Sequence, residues 1–302
     1  MNYDFSWERK DRKMRDFVIT TDTTCDLPEE YLKEHKVRLL PLYYSFNGTV
    51  YGDTNILEPK EFYDKMRNGA MPTTMAVNPD TAKDVFSNLL AEGYDILHIA
   101  FSSALSGSCS SAATTARELC EENPEAKIIV IDSLCASLGE GLFVHKAVML
   151  KENGKSIDEI AQWLEENKLN LCHVFTVNDL HHLHRGGRVS KTTAIIGTLI
   201  NVKPVLHVDN EGRLIPLTNV RGRKKSLVTL VDQMEKRISG FDDQNDIVFI
   251  SHGDCEDDAK YVASLIKDRF GIENILINYV SPTIGAHSGP GTVALFFMGN
   301  PR

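Results

Sequence analysis

Short apolar runs of strand length alternate with amphipathic stretches of helical period along almost the whole chain. That order is the pattern of an α/β protein with a mainly parallel sheet. Strands are expected at Phe17–Thr21, Val37–Phe46, Ile96–Phe101 and Lys127–Asp132. Asn47-Gly48 supplies a hairpin turn before a short strand at Thr49–Tyr51. Asn78 followed by Pro79 marks a helix start, with an N-cap and a proline in the first turn, and the helix runs to about Glu92. A second helix covers Leu138–Leu150, and Ser156-Ile157-Asp158-Glu159 reads as a capping box opening a third through Glu166.

A second unit begins near Asn170. Its strands are expected at Cys172–Val177, Pro204–Val208, Arg213–Val220, Ile247–His252, Ile275–Val280 and Val293–Met298. Helices fall at Thr193–Ile200, Arg223–Ile238 and Glu256–Phe270. A chain of 302 residues can bury two cores. The division expected is a leader over residues 1–15, an amino-terminal α/β domain over 16–167 and a carboxyl-terminal α/β domain over 168–302.

The net charge of −9 argues against a nucleic-acid partner, because phosphate binding needs clustered cations. The basic stretch Arg221-Gly222-Arg223-Lys224-Lys225 runs against this trend and reads as a solvated helix start. Six cysteines without a Cys-x-x-Cys pair fit reduced thiols in a cytoplasmic protein. The first ten residues are polar and lack an apolar signal core, and no apolar run is long enough to span a bilayer. A soluble cytoplasmic protein is expected.

Two segments carry the chemistry. Ile284–Thr292 combines His287, the hydroxyls of Ser288 and Thr292, and Gly285, Gly289 and Gly291, just ahead of the apolar run Val293–Met298. It reads as a polar lip on a buried strand, where glycines let a ligand approach the main chain. Ser102-Ser103-Ala104-Leu105-Ser106-Gly107-Ser108 has similar chemistry and follows a predicted strand, the edge at which open α/β sheets collect ligands. Together they suggest a site for a small anionic head group. Ser102, Ser103 and Ser108 are expected to cap the following helix, with Ser106 kept for ligand. Thr73 and Thr74 gain a functional reading only beside Ser106 and His287.

Other signals are weaker. Gly289-Pro290-Gly291-Thr292-Val293-Ala294 matches a loose dinucleotide pattern but precedes a strand instead of following one, and no P-loop is present. His181, His182 and His184 have no second ligand cluster at matching spacing, so surface histidines on a short helix are preferred to a metal site. Ser106 and His287 could form a nucleophile–base pair, although the surroundings are not the G-x-S-x-G elbow.

Taken together these segments resemble the DegV family of bacterial fatty-acid-binding proteins over nearly the whole chain after the leader. Thr21–Pro28 is similar to the family's T-D-S-T-x-D-L-P, and Ser102–Gly107 to its S-S-x-L-S-G. Asp179–Ser190 is similar to D-L-x-x-L-x-x-G-G-R-[IV]-S, with the three histidines at variable positions, and Ile284–Gly291 to I-G-x-H-x-G-P-G. The resemblance implies two α/β domains, the first with a Rossmann-like, mainly parallel sheet, and an acyl chain buried between them. It implies carboxylate binding by Thr74, Ser106 and the neighbourhood of His287, with Thr73, Gly107 and Ser288 beside them. Met75 and Ala76 stand where the family has a polar pair.

The resemblance further implies a non-enzymatic protein, without a cofactor or metal, that presents a long-chain fatty acid to a separate fatty acid kinase for acyl-phosphate formation in phospholipid synthesis. Arg188 and Arg221 are then expected to contact that kinase or the acyl phosphate, since arginine suits phosphate bidentately. Two alternatives stay open: a serine-type acyl ester hydrolase using Ser106 and His287, and a subunit of a small hydroxy-ketone phosphotransferase.

Overall fold

The computed structural model describes residues 15–52, 54–190 and 201–302. The helix expected at Thr193–Ile200 lies outside the described residues, as does nearly all of the leader. Strand β1 (Phe17–Asp22) leads through a 3₁₀ turn to α1 (Glu29–Glu34) and β2 (Arg38–Leu40). A hairpin of β3 (Tyr43–Phe46) and β4 (Thr49–Tyr51) follows, then α2 (Pro59–Arg67) and β5 (Thr73–Met75). Helix α3 (Pro79–Ala91), β6 (Asp95–Ala100), α4 (Ser108–Glu122), β7 (Ile128–Asp132), α5 (Leu138–Glu152) and α6 (Ile157–Asn167) complete the first half. The second half runs β8 (Leu171–Thr176), α7 (His181–Arg185), β9 (Val202–Val208), β10 (Leu214–Arg221), α8 (Arg223–Glu235) and β11 (Val248–His252). It ends with α9 (Glu256–Phe270), β12 (Ile275–Tyr279), α10 (Pro282–Ser288) and β13 (Val293–Met298).

The starts of two helices follow directly from local chemistry. Asn78 accepts a hydrogen bond from the Asp80 N–H with Pro79 in the first turn, and Ser156 and Glu159 form a reciprocal capping box. One expected strand does not exist as such. Val37–Phe46 is divided at Pro41, so that β2 joins β1 while β3 pairs with β4 and β5 in a separate three-stranded sheet. Proline has no N–H for a continuing ladder, and the next N–H, of Leu42, is given to Thr23 Oγ1 at 3.0 Å.

The first sheet has the order β2-β1-β6-β7 and is parallel throughout. Phe17, Ile19, Leu97, Ile99 and Ile131 face α5 and α6, while Ile96 and its partly buried neighbours face α3 and α4. The second sheet, β10-β9-β8-β13-β11-β12, departs from the parallel expectation, because only β11 and β12 run parallel. Two of its connections show how. A tight turn at 209–213, with Gly212 at φ +78°, folds β10 back on β9. Helix α10 turns the chain back at the end of β12 instead of carrying it across the sheet, so β13 inserts antiparallel between β8 and β11. The alternating sequence order does not distinguish such a return from a crossover. The result is a two-domain α/β fold. Val293, Leu295 and Phe297 of β13 pack on α8 and α9, while Ala294, Phe296 and Met298 face the first half of the molecule.

Candidate functional site

In the first sheet the chain leaves β1 toward β2 on one side and reaches β6 on the other, so the loops after β1 and β6 flank the switch point where such sheets bind ligands. Those loops contribute Thr24, Phe101, Leu105, Ser106 and Gly107 to a cavity. The inward face of the second sheet supplies Phe175, Val208, Leu214, Ala294 and Phe296, and most of the wall is carbon. Among the described residues lining it, Arg188 is the charged one and none is acidic.

Thr74 and His287 meet at this cavity from elements 213 residues apart, with Thr74 Oγ1 2.8 Å from His287 Nε2. Burial, then the charges of Arg188 and Arg185, push the imidazole down to about 4, so it is neutral at pH 7. With its proton on Nε2, His287 donates to Thr74 and leaves the threonine hydroxyl proton for a ligand. The other ring nitrogen, Nδ1, is buried without a partner among the described residues. It lies against Gly186, where a Cβ would stand 2.0 Å from it. Glycine there is a packing requirement, and it explains why the Gly-Gly-Arg segment after α7 faces α10.

Ser106 accepts from the Ser108 N–H at 3.2 Å and lies 2.8 Å from Ser108 Oγ, which itself accepts from the Val77 N–H. If Ser108 donates to Ser106, the Ser106 proton is free for ligand. This places the amino terminus of the 15-residue α4, with Gly107 as its cap residue, beside the cavity, where peptide dipoles favour negative charge. Arg188 donates from Nε and Nη2 to Leu105 O, at 3.2 and 2.9 Å, and from Nη1 to Gly186 O. Its three contacts are with carbonyls, and no carboxylate among the described residues neutralises it. Burial lowers its pKa from the usual arginine value.

Thr74, Ser106, Gly107, Arg188, His287 and Ser288 therefore line one cavity, and the hydroxyl oxygen of Ser288 is buried without a partner among the described residues. Thr73 does not line it. Alternation along β5 turns Thr73 outward, where its hydroxyl lies 2.9 Å from Ser45 Oγ. Arg221 is exposed at the end of β10, in a shallow basic depression with Arg223, Lys224 and Lys225. The lip segment is not all loop, since Ile284–Ser288 is part of α10. The serine assignments also change. Ser106 accepts from the first N–H of α4, whose cap residue Gly107 has no side chain to offer, whereas Ser102 donates to Gly212 O at 3.0 Å across to the β9–β10 turn. Ser106 and His287 line the same cavity but share no hydrogen bond. His181 and His182 lie beside Asp179 and Arg185, and among the described residues no cluster is placed to hold a metal ion.

Ser137, His173, Ser251 and Thr283 also line the cavity and escaped the sequence reading. Ser137 and Ser251 sit within or beside apolar runs, where a lone serine gives no signal. Thr24 lines it too, in the polar loop Asp22-Thr23-Thr24 that follows the first strand, a position where ligands are expected to collect.

A sequence profile described as "Uncharacterised protein, DegV family" matches residues 16–300. A DegV domain-containing protein of Clostridium perfringens is 44% identical over 291 residues, covering 96% of this chain and 99% of that one. Another, YteA of Lactococcus lactis, is 36% identical over 282 residues, 93% of this chain and 96% of its own. Among solved structures, a DegV family protein from Thermus thermophilus, described in terms of fatty acid binding, has a TM-score of 0.84 at 30% identity, covering 95% of this chain and 100% of that one. DegV of Bacillus subtilis, described as a fatty acid binding protein, has a TM-score of 0.80 at 28% identity, with 95% and 100% covered. With its motifs, its fold and these matches in agreement, the chain belongs to the DegV family.

Proposed function

We propose that this protein binds a long-chain fatty acid in the cavity between its two sheets and presents it, without catalysing a reaction itself, to a separate kinase that forms the acyl phosphate. One observation carries the reading: a largely apolar cavity meets Thr74–His287, Ser106 and Arg188 and has no acidic group in its wall. Burying an acyl chain gains about 0.8 kcal/mol per methylene, so about sixteen carbons offer roughly 12 kcal/mol before ordering costs. An ionised carboxylate buried without partners would forfeit much of that. The Thr74 and Ser106 hydroxyls and the amino terminus of α4 supply such partners. A small hydroxy-ketone would leave the apolar part of the cavity empty. The solved relatives from Thermus thermophilus and Bacillus subtilis, both described as binding fatty acids, support the same reading.

Arg188, beside the head-group set, is suited to the acyl phosphate, and the exposed Arg221 to a partner surface. Among the described residues no helix is long and apolar enough to cross a membrane, and a cytoplasmic location fits the proposed role. The test is organic extraction of protein purified from a bacterial host, followed by mass spectrometry. Near one fatty acid per chain is expected. Absence of lipid, together with failure to take up added fatty acid, would reject the reading. With a cognate kinase, Arg188→Ala and Arg221→Ala should keep fatty-acid binding and lose acyl-phosphate formation. Unchanged phosphorylation in both would place the partner surface elsewhere.

A further inference from the structure

Three hydroxyls line the cavity from elements other than those holding the carboxylate set: Thr24 after β1, Ser137 ahead of α5 and Ser251 on β11. None shares a hydrogen bond with Thr74, Ser106, Arg188 or His287. Thr24 and Ser251 are wholly buried and Ser137 is 4% exposed. Their protons can be counted. Thr24 donates its hydroxyl proton to Glu140 Oε2 at 2.9 Å. Ser137 Oγ contacts Asp26 Oδ2 and, at 2.8 Å, Ser251 Oγ.

With Asp26 ionised, Ser137 donates to Asp26 and accepts from Ser251, whose oxygen keeps lone pairs that meet no donor. With Asp26 protonated, Asp26 donates to Ser137 and Ser137 to Ser251, whose own proton then has no acceptor. Ser251 thus has Ser137 as its partner in either state and, among the described residues, keeps further hydrogen-bonding capacity at the cavity wall. Alanine stands beside each serine, at Ala294 opposite Ser251 in the ladder and at Ala136 next to Ser137, and both alanines line the cavity too.

We infer that Ser251, with Ser137 and Thr24 beside it, forms a second polar subsite that takes a hydroxyl carried on the acyl chain, so that the ligands include hydroxylated long-chain fatty acids. The inference rests on the fatty-acid reading above and narrows its substrate class. A hydroxyl both donates and accepts, so it satisfies Ser251 whichever way the proton relay from Asp26 runs. A ketone, an acceptor only, matches one of the two states. Unsubstituted chains remain ligands, because they leave the Asp26–Ser137–Ser251 bonds intact.

The test titrates lipid-stripped wild type and Ser251→Ala with octadecanoic acid and with its mono-hydroxy derivatives substituted at carbon 3, 10, 12 or 18. Ser251→Cys, which replaces the hydroxyl by a larger, weakly hydrogen-bonding thiol and leaves no void, is run in parallel, and melting curves establish that the variants fold. At least one isomer should bind wild type as tightly as the parent acid. That isomer should then lose about tenfold or more in both variants, the penalty for a buried hydroxyl deprived of its partner, while the parent acid changes less than about threefold. If the parent acid binds but every hydroxylated isomer is tenfold weaker in wild type, the subsite is overturned and the fatty-acid reading stands. Equal losses of isomer and parent in the variants would also overturn it. If no acid binds, the parent included, the fatty-acid reading falls and this inference falls with it.

Discussion

His287 is held neutral by burial, so its contribution to an anion site is a hydrogen bond passed through Thr74 and not a charge. A bond to an ionised carboxylate is worth about 1.5–3 kcal/mol, so Thr74→Val and Ser106→Ala should each weaken fatty-acid binding by roughly ten- to a hundredfold in calorimetric titration. The two variants should differ in stability. Ser106 also accepts from the Ser108 N–H, and losing that hydrogen bond costs about 1 kcal/mol, so Ser106→Ala should melt lower even without ligand. Unchanged affinity in both would move the carboxylate elsewhere. Asp26 gives a pH signature. Burial raises its pKa to about 7, against the opposing Ser137 and Ser281 hydrogen bonds. A folded-state pKa above the unfolded value near 3.8 means that the folded protein holds the extra proton. The stabilisation is therefore complete below pH 4 and is lost as pH rises through 7. His98, His145 and His287, pushed down by burial to about 3, about 4 and about 4, act oppositely as pH falls through the unfolded histidine value, as do His173, His182, His207 and His252, also lowered. The Asp26 share is read as a difference: between pH 6.5 and 8 wild type should lose on the order of 1 kcal/mol relative to Asp26→Asn in paired melting profiles. Asp22 and Glu140, also raised by burial, would preserve the remainder of the slope.

At the scale of elements, the site depends on α7 and the glycines after it lying against α10. Gly186→Ala would drive a methyl into His287 Nδ1, whereas a Cβ at Gly187 would meet nothing within 4 Å and only strain a φ of +74°. Gly186→Ala should therefore lower affinity at least as far as Thr74→Val does, by displacing α10 from β5. Gly187→Ala should cost about 1 kcal/mol of stability and little affinity. Comparable binding losses in the two variants would show that α10 is not positioned by this contact. Much of this arrangement was legible in the sequence. Capped helices such as α3 and α6 announced themselves through Asn78-Pro79 and Ser156–Glu159, because caps are local chemistry. The residues gathered at the cavity, Thr74, Ser106 and His287, stood out as hydroxyls and a histidine beside glycines or after strands. What stayed hidden was tertiary. Pro41 sends β2 and β3 into different sheets, α10 reverses the chain in a segment that reads only as a polar lip, and Ser251 becomes informative only once Ser137 and Asp26 are seen to meet it.

At the scale of the whole molecule, the chain passes from the first sheet to the second between Asn167 and Leu171, and we take residues 16–167 and 168–302 as its two domains. Each has apolar packing of its own. One cluster fills the space between the first sheet and α3 and α4, and another fills that between the second sheet and α8 and α9. A third belongs to both. Ile19, Leu97 and Ile99 of the first sheet join Phe175, Phe249 and Phe296 of the second through Leu138, Leu142 and Phe143 of α5. Separating the domains would expose this shared cluster, and at about 25 cal/mol per Å² of apolar surface that is a large loss beside the modest stability of ordinary folds. Denaturant should therefore unfold both domains in one transition, with amides of β6 and β13 losing hydrogen-exchange protection at the same denaturant concentration. A ligand bound between the sheets and not to the unfolded chain adds stability by mass action. At a free concentration of a hundred times Kd this is about 2.7 kcal/mol, which should raise the melting temperature by about 5 °C without splitting the transition. Two resolved transitions in the free protein, merging only when fatty acid is added, would mean that α5 does not bind the halves together and that the ligand itself is the bridge.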